Sequence, residues 1–275
     1  MVVLRLASFV VMERLKKGKG FTMITDTFDN ATPAIINPKE NPDAFVVDAC
    51  IITFSYKIED YVLSRFKPTK IGEIHFATGI TPIWLIEHNG KKFAFFKTYV
   101  GAPACVGSIE DALGEINTKK YVLFGGAGCL NKEIARGKIM VPDAAWRDEG
   151  TSYHYMPASD WVEVSNCEKV CEFMEQNKLP FVRGKTWTTD SFYRETRGNF
   201  EKRKAAGCIS VEMECAGVQA MCSFRGLELY PFFTSGDLLD APEWDNRHAL
   251  NGTDAGSQHD AQHFEIALEL ADFVS

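Results

Sequence analysis

Apolar residues recur along the chain with two different periods, and their alternation predicts a mixed α/β fold. Residues 44–54 (AFVVDACIITF) form a β-branched, largely apolar run, the pattern of a buried strand. Residues 56–66 carry apolar positions at helical spacing. Residues 73–77, 83–88 and 92–99 read as three strands, and Asn89-Gly90 between the last two is a strong hairpin signal. Residues 108–115 suit a helix with Ser108 as its cap and Asp111 in a capping box. Residues 121–124 make a short buried strand that runs into Gly125-Gly126-Ala127-Gly128. A strand over 138–141 is expected to end at Pro142. A helix over 166–176, a strand over 181–186 and a helix over 200–206 follow. A strand over 209–213 leads directly into a helix over 214–224, then a strand over 229–234 and a closing helix over 261–273. These elements imply one α/β domain, a mixed central sheet with helices on both faces. No internal repeat or low-complexity segment interrupts it.

Composition narrows the class. The 275 residues are 45% hydrophobic and 24% charged, as in an ordinary globular chain. The net charge of −7 argues against general nucleic-acid binding, which needs a basic face. None of the eight cysteines forms a C-x-x-C pair, and they lie in apolar stretches, as buried free thiols in a reducing compartment do. No apolar run reaches the length of a membrane span, and no cleavage site follows the apolar start, so a cytoplasmic location is expected. Residues 1–22 read as a disordered or mis-assigned extension, with Met23 as an alternative start and 23–275 as the domain.

In open α/β sheets, ligands bind beyond the carboxyl ends of the strands. Four segments there carry candidate chemistry. Gly125–Gly128 lets backbone approach a ligand, and suits a tight turn equally; it matches neither a dinucleotide nor a P-loop pattern. Glu212-Met213-Glu214 places two carboxylates at a strand-to-helix junction, where they suit paired sugar hydroxyls or simply the helix dipole. Asp237, in Thr234-Ser235-Gly236-Asp237, is a candidate general acid or a turn residue. Phe192-Tyr193, in a polar loop, suits stacking on a planar base or anchoring the loop. His259 and His263 have metal-ligand spacing but no third ligand, so no metal or organic cofactor is expected.

Together these segments resemble the purine nucleoside and uridine phosphorylase superfamily. Val211-Glu212-Met213-Glu214-Cys215-Ala216-Gly217 resembles its V-E-M-E-x-A-G signature. GGAGCL from Gly125 resembles its glycine-rich segment. Arg147-Asp148-Glu149-Gly150-Thr151-Ser152-Tyr153-His154-Tyr155 resembles its R-x-D-G-[AT]-S-x-H-[FY] stretch. Thr189-Asp190-Ser191-Phe192-Tyr193 resembles its S-D-x-F-Y loop, and Ser235-Gly236-Asp237 its catalytic S-D with one residue inserted. The resemblance implies cleavage of a nucleoside N-glycosidic bond, most simply by phosphorolysis, with inorganic phosphate as co-substrate. It implies that Glu214 binds the ribose hydroxyls, with Met213 against the sugar and Glu212 nearby. Phe192 and Tyr193 would face the base, and Asp237 would protonate it or hydrogen-bond to it. Further substrate-contact candidates are Thr98, Gly125, Gly126, Arg147 and, in a lid over Trp244–Arg247, Arg247. Relatives of this kind are dimers or hexamers, so a homo-oligomer is expected.

The phosphate machinery departs from that pattern. Thr53-Phe54-Ser55-Tyr56-Lys57 stands where the family has G-D-P-x-R, Leu123 replaces an arginine, and Gly126 a hydroxyl residue. Either phosphate is held by other groups (Lys57, Lys97, Arg136 or Arg147), or water replaces it with Glu59 or Asp48 as base, as in hydrolytic nucleosidases. The loop after Phe192-Tyr193 reads Arg194-Glu195-Thr196-Arg197 rather than the uracil-reading Gln-x-Arg; Arg194 or Arg197 could read a base carbonyl, and the charged run equally suits a solvated helix start. A binding protein without turnover is the rival from another class.

Overall fold

The computed structural model describes residues 23–135, 137–245 and 254–275. The chain runs β1 (Phe45–Val46), β2 (Ala49–Thr53), α1 (Tyr56–Phe66), β3 (Thr69–Phe76), β4 (Gly79–His88), β5 (Lys91–Lys97) and α2 (Ala102–Ala112). It continues β6 (Ile116–Asn117), β7 (Lys120–Cys129), α3 (Lys132–Ala135), β8 (Ile139–Asp148), β9 (Trp161–Glu163), α4 (Cys167–Gln176) and β10 (Phe181–Thr189). It closes with α5 (Arg197–Ala205), β11 (Cys208–Glu212), α6 (Cys215–Arg225), β12 (Glu228–Leu238) and α7 (Asp254–Val274). The 1–22 extension and Arg136 lie outside the described residues. Among those described, no helix is long and apolar enough to cross a membrane.

One mixed sheet, in the order β11-β10-β8-β12-β7-β2-β5-β4-β3, organises the domain. The β3–β4–β5 meander is antiparallel, and Asn89-Gly90 turns β4 into β5 with both residues at positive φ (51° and 79°), as a type I′ turn requires. The adjacent strands β2, β7 and β12 are largely buried on both sides, which is why they read as continuous apolar runs. Ala49 and Ile51 of β2 join Ile58 and Val62 of α1, Phe173 of α4 and Phe264 of α7 in one core. Cys50 and Ile52 face the other way, with Cys105 and Ile109 of α2 and Met221 of α6. All eight cysteines are buried free thiols.

The sheet is not open at its far edge. β11 returns to pair antiparallel with β7, Val211 opposite Gly128, so β7, β12, β8, β10 and β11 curl into a closed arc. This corrects the reading of the glycine-rich segment as a loop beyond its strand: Gly125–Cys129 is the last part of β7. A Cβ on Gly128 would lie 2.8 Å from Val211 Cγ1 and 2.6 Å from Leu239 Cδ1, so only glycine admits this approach.

Other boundaries move for identifiable reasons. Ser108 does not cap a helix. It sits inside α2, buried, donating to the Ala104 carbonyl at 2.9 Å, while Gly101 is the N-cap residue and Pro103 lies in the first turn. Asp111 instead accepts from the His75 backbone N–H at 2.8 Å. β8 runs through Pro142, which faces Gly184 where the β8–β10 register shifts, so the missing N–H falls at an irregularity. Thr234–Asp237 belongs to β12 rather than following it.

Candidate active site

A cavity of about 720 Å³ opens where the ends of β7, β11 and β12 meet. Its lining includes Gly126, Ala127 and Gly128 of β7, Val211 and Glu212 of β11, Met213 and Glu214 at the start of α6, and Asp237 of β12. Phe192, Tyr193, Glu195, Arg197 and Phe200 cover it from the β10–α5 side. Phe54, Val100, Leu239 and Trp244 complete the walls.

The Glu212-Met213-Glu214 junction is built from its own backbone. Glu212 Oε2 accepts the N–H groups of Glu214 (2.7 Å) and Cys215 (2.6 Å), the free donors at the start of α6. Glu212 Oε1 accepts the hydroxyls of Thr186 (3.3 Å) and Thr188 (2.5 Å), and Thr188 Oγ1 in turn accepts from Ala216 N at 3.0 Å. Glu214 Oε1 accepts from Gly101 N at 2.6 Å and Oε2 from Met213 N at 3.2 Å. Glu212 and Glu214 are only 5% exposed, and burial pushes both carboxyls up. The donors around Glu212 oppose its shift, whereas the nearby Glu212 charge raises Glu214 further, so Glu214 takes up a proton first.

Asp237 owes its direction to an irregularity. The β12–β7 register shifts between Ser235 and Leu238, and such a bulge re-aims side chains off the strand's alternation. Asp237 Oδ2 accepts from Trp244 Nε1 at 2.6 Å, and Leu238 exchanges backbone hydrogen bonds with Asp245, which folds residues 239–245 back over the cavity. Thus Trp244, read from sequence as part of a lid, lines the site, while Arg247 lies outside the described residues. On the facing side, Phe192 and Tyr193 have ring centroids 4.2 Å apart and are exposed at 51% and 88%. Apolar rings so exposed inside a cavity are available to stack.

Asp237, Glu214, Glu212, Met213, Gly126, Phe192 and Tyr193 therefore share one cavity. Three candidates do not line it. Arg147 is turned away because its guanidinium is consumed locally: Nε donates to Ser152 Oγ (2.8 Å), Nη1 to Pro157 O (2.7 Å) and Ser159 Oγ (2.9 Å), over the Tyr153 ring. It braces residues 150–159. Thr98 shares a hydrogen bond with Ser108 inside the core at 2.8 Å. Gly125 sits behind Phe54, whose ring lies 3.0 Å from where a Cβ would stand. Among the groups weighed for phosphate or water, Lys97 is paired with Glu59 at 3.1 Å, and Asp48 accepts from Lys92 N at 2.8 Å. Arg197 is the one basic side chain lining the cavity among the described residues, its Nη2 donating to Ala241 O at 3.1 Å.

Sequence reasoning missed Glu195. It was read within a solvated charged run, yet the fold half-buries it in the cavity. Burial, and then the Asp237 charge, push its carboxyl up to about 7. Thr188, read from sequence as the start of the polar loop that carries Phe192-Tyr193, instead lies in β10, where its hydroxyl ties Glu212 to α6.

The Phosphorylase superfamily profile matches residues 49–262, from β2 into α7. The chain belongs to the phosphorylase superfamily. Within the superfamily it is 25% identical to uridine phosphorylase from Escherichia coli over 188 residues, covering 62% of this chain and 72% of that one. It is 22% identical to a DeoD-type purine nucleoside phosphorylase from Vibrio cholerae, covering 67% and 77%. The crystal structure of AMP nucleosidase from Bacteroides thetaiotaomicron shares the fold with a TM-score of 0.63 and 16% identity, covering 83% of this chain and 89% of the other. Glu212-Met213-Glu214 and Asp237 thus fall inside the matched region and line one cavity.

Gly128 offers a direct test of how closely this site is packed. A methyl group there would also stand 3.2 Å from Asp237 Oδ1. Gly128→Ala is expected to displace Asp237 and lower any turnover by at least about tenfold, as small misplacements of reacting groups do. Steady-state assay beside circular dichroism checks this; unchanged turnover in a folded variant would show that Asp237 is not positioned through this contact.

Proposed function

We propose that this protein cleaves the N-glycosidic bond of a nucleoside. The observation that carries the reading is that Glu214 and Asp237, from separate strand ends, line the same cavity with Phe192 and Tyr193. Cleavage passes through an oxocarbenium-like state, with positive charge growing on the sugar and negative charge on the base. In this reading Glu214 accepts the ribose hydroxyls and stabilises the sugar's charge, with Met213 packed against it. Phe192 and Tyr193 stack on the base. Asp237 hydrogen-bonds to the base edge as charge develops there. A bound pentose brings hydroxyl donors to Glu214, which favour its anion over the neutral form that burial promotes.

Phosphate is the first reading for the acceptor, supported by the phosphorylases among the relatives. Backbone N–H groups of the glycine-rich end of β7 are the donors it would use. Water is the second reading, favoured by one observation: the end of β2 presents Phe54, beside Val100, where a phosphate site needs cations. The test is a panel of purine and pyrimidine nucleosides incubated with and without phosphate, with free base, ribose and ribose 1-phosphate measured. Phosphate-dependent release of base is expected. Release with free ribose in phosphate-free buffer assigns water as acceptor. Calorimetric binding without any release of base overturns the catalytic reading.

A further inference from the structure

The wall of the cavity that holds Asp237 carries a second carboxyl with no assigned task. Glu195 follows the short turn Phe192–Arg194 and precedes α5, and its side chain faces the cavity with Asp237, Arg197 and Trp244. The two acids differ in how they are held. Asp237 accepts from Trp244 Nε1, a neutral donor that keeps it an acceptor and fixes its orientation. The Glu195 carboxyl has no hydrogen-bond or ion-pair partner among the described residues. A half-buried carboxyl facing another carboxylate, without a compensating cation on it, retains its proton.

We propose that Glu195 is a further catalytic residue, the proton donor to the departing base, with Asp237 as the hydrogen-bonding anion beside it. This rests on the nucleoside-cleaving reading and extends it. In the step, the C1′–N bond breaks and its electron pair goes to the heterocycle. The Glu195 O–H proton moves to a nitrogen or oxygen of the base, leaving Glu195 as a carboxylate. The acceptor, phosphate or water, forms the new bond at C1′, water losing its proton to solvent. Glu195 regains a proton from solvent after the base leaves. The proposal also bounds the substrate: the base must present a lone-pair acceptor on the edge that faces α5.

The charged groups around Glu195 set the pH dependence. Asp237 on β12 raises its proton affinity, Arg197 opens α5, and Arg194 lies on the turn itself. Glu212 and Glu214 line the cavity from β11 and α6 and titrate as a separate pair. Turnover is therefore expected to fall as pH rises through about 7, where the burial of Glu195 and the Asp237 charge place its ionisation.

The experiment measures kcat and KM from pH 5.5 to 9 on a nucleoside that the wild-type protein cleaves, for wild type, Glu195→Gln and Glu195→Asp. Glutamine keeps a polar donor but cannot release a proton. Glu195→Gln is expected to lower kcat about 10²-fold, keep KM within about threefold, and lose the falling limb near neutrality. Glu195→Asp is expected to restore the limb and part of the rate. A second readout needs no substrate. A carboxyl whose native pKa is raised contributes stability at low pH that is lost as pH rises through the native value. So Glu195→Gln is expected to melt above wild type at pH 8.5 and level with it at pH 4.5. Three results overturn the proposal: a falling limb retained in Glu195→Gln, a loss confined to KM, or melting differences that do not change with pH. Failure of wild type to release base from any nucleoside overturns the parent reading, and the proposal with it.

Discussion

Glu214→Gln is expected to lower kcat about 10²–10³-fold while leaving the melting temperature equal to or above that of wild type. The two effects have one cause. Glu214 is a carboxylate buried to 5% exposure whose donors among the described residues are the N–H groups of Gly101 and Met213. Its proton affinity is raised by burial and by Glu212. Ionising Glu214 in the free protein therefore strains the fold, and a neutral amide avoids that cost while its oxygen keeps the Gly101 hydrogen bond. In the proposed glycosidic cleavage the same charge would face a developing oxocarbenium ion, and electrostatic stabilisation of this kind is usually worth about a few kcal/mol per group. Steady-state kinetics beside calorimetric melting separates the outcomes. A variant that loses turnover only because it melts lower would assign Glu214 to the fold rather than to the sugar.

Glu212→Ala is expected to do the reverse and act first on stability. Its carboxylate accepts from Thr186, Thr188, Glu214 N and Cys215 N at once. Truncation leaves all of these donors buried without an acceptor, and breaking a buried charged network typically costs about 3–5 kcal/mol. For a domain of this size that corresponds to a fall of roughly 10 °C in Tm. Calorimetric unfolding checks it, and a fall under about 3 °C would mean that water satisfies the freed donors. Glu212→Gln is expected to be intermediate, because its Oε1 still accepts from the threonines while its amide nitrogen meets two N–H donors. In the proposed function the neighbouring carboxyls divide the work: Glu212 holds the strand-to-helix junction in shape, and Glu214, on that junction, is the one assigned to the ligand.

Much of this arrangement was legible in the sequence. The helical spacing over 56–66 matches α1, because amphipathic periodicity, a Ser55 cap and Lys67 at positive φ all mark the same ends. Asn89-Gly90 named its turn because few residue pairs tolerate positive φ twice. Glu212-Met213-Glu214 stood out through its resemblance to the superfamily signature, and its other reading, acids that serve the start of a helix, describes Glu212, which accepts the N–H groups of Glu214 and Cys215. Arg147 was misplaced because a motif states which residues are present and not which of them the backbone consumes; its donors are spent on Ser152, Pro157 and Ser159. Ser108 misled because a serine that bonds back to the carbonyl four residues earlier looks, in sequence, like a cap.

Local pattern alone determined the alternation of strands and helices, which depends on side-chain period and backbone preference over a few residues. Resemblance to known motifs, and not period, singled out the glycine-rich and Glu-Met-Glu segments as candidate site residues. Tertiary structure alone decided that β11 closes back on β7, that Asp237 is turned inward by a shifted register, and that Glu195 lies half-buried against Asp237. Those outcomes rest on contacts between residues tens of positions apart. A carboxyl's proton affinity follows from the dielectric and the charges around it in space, and the order of residues along the chain does not carry that information.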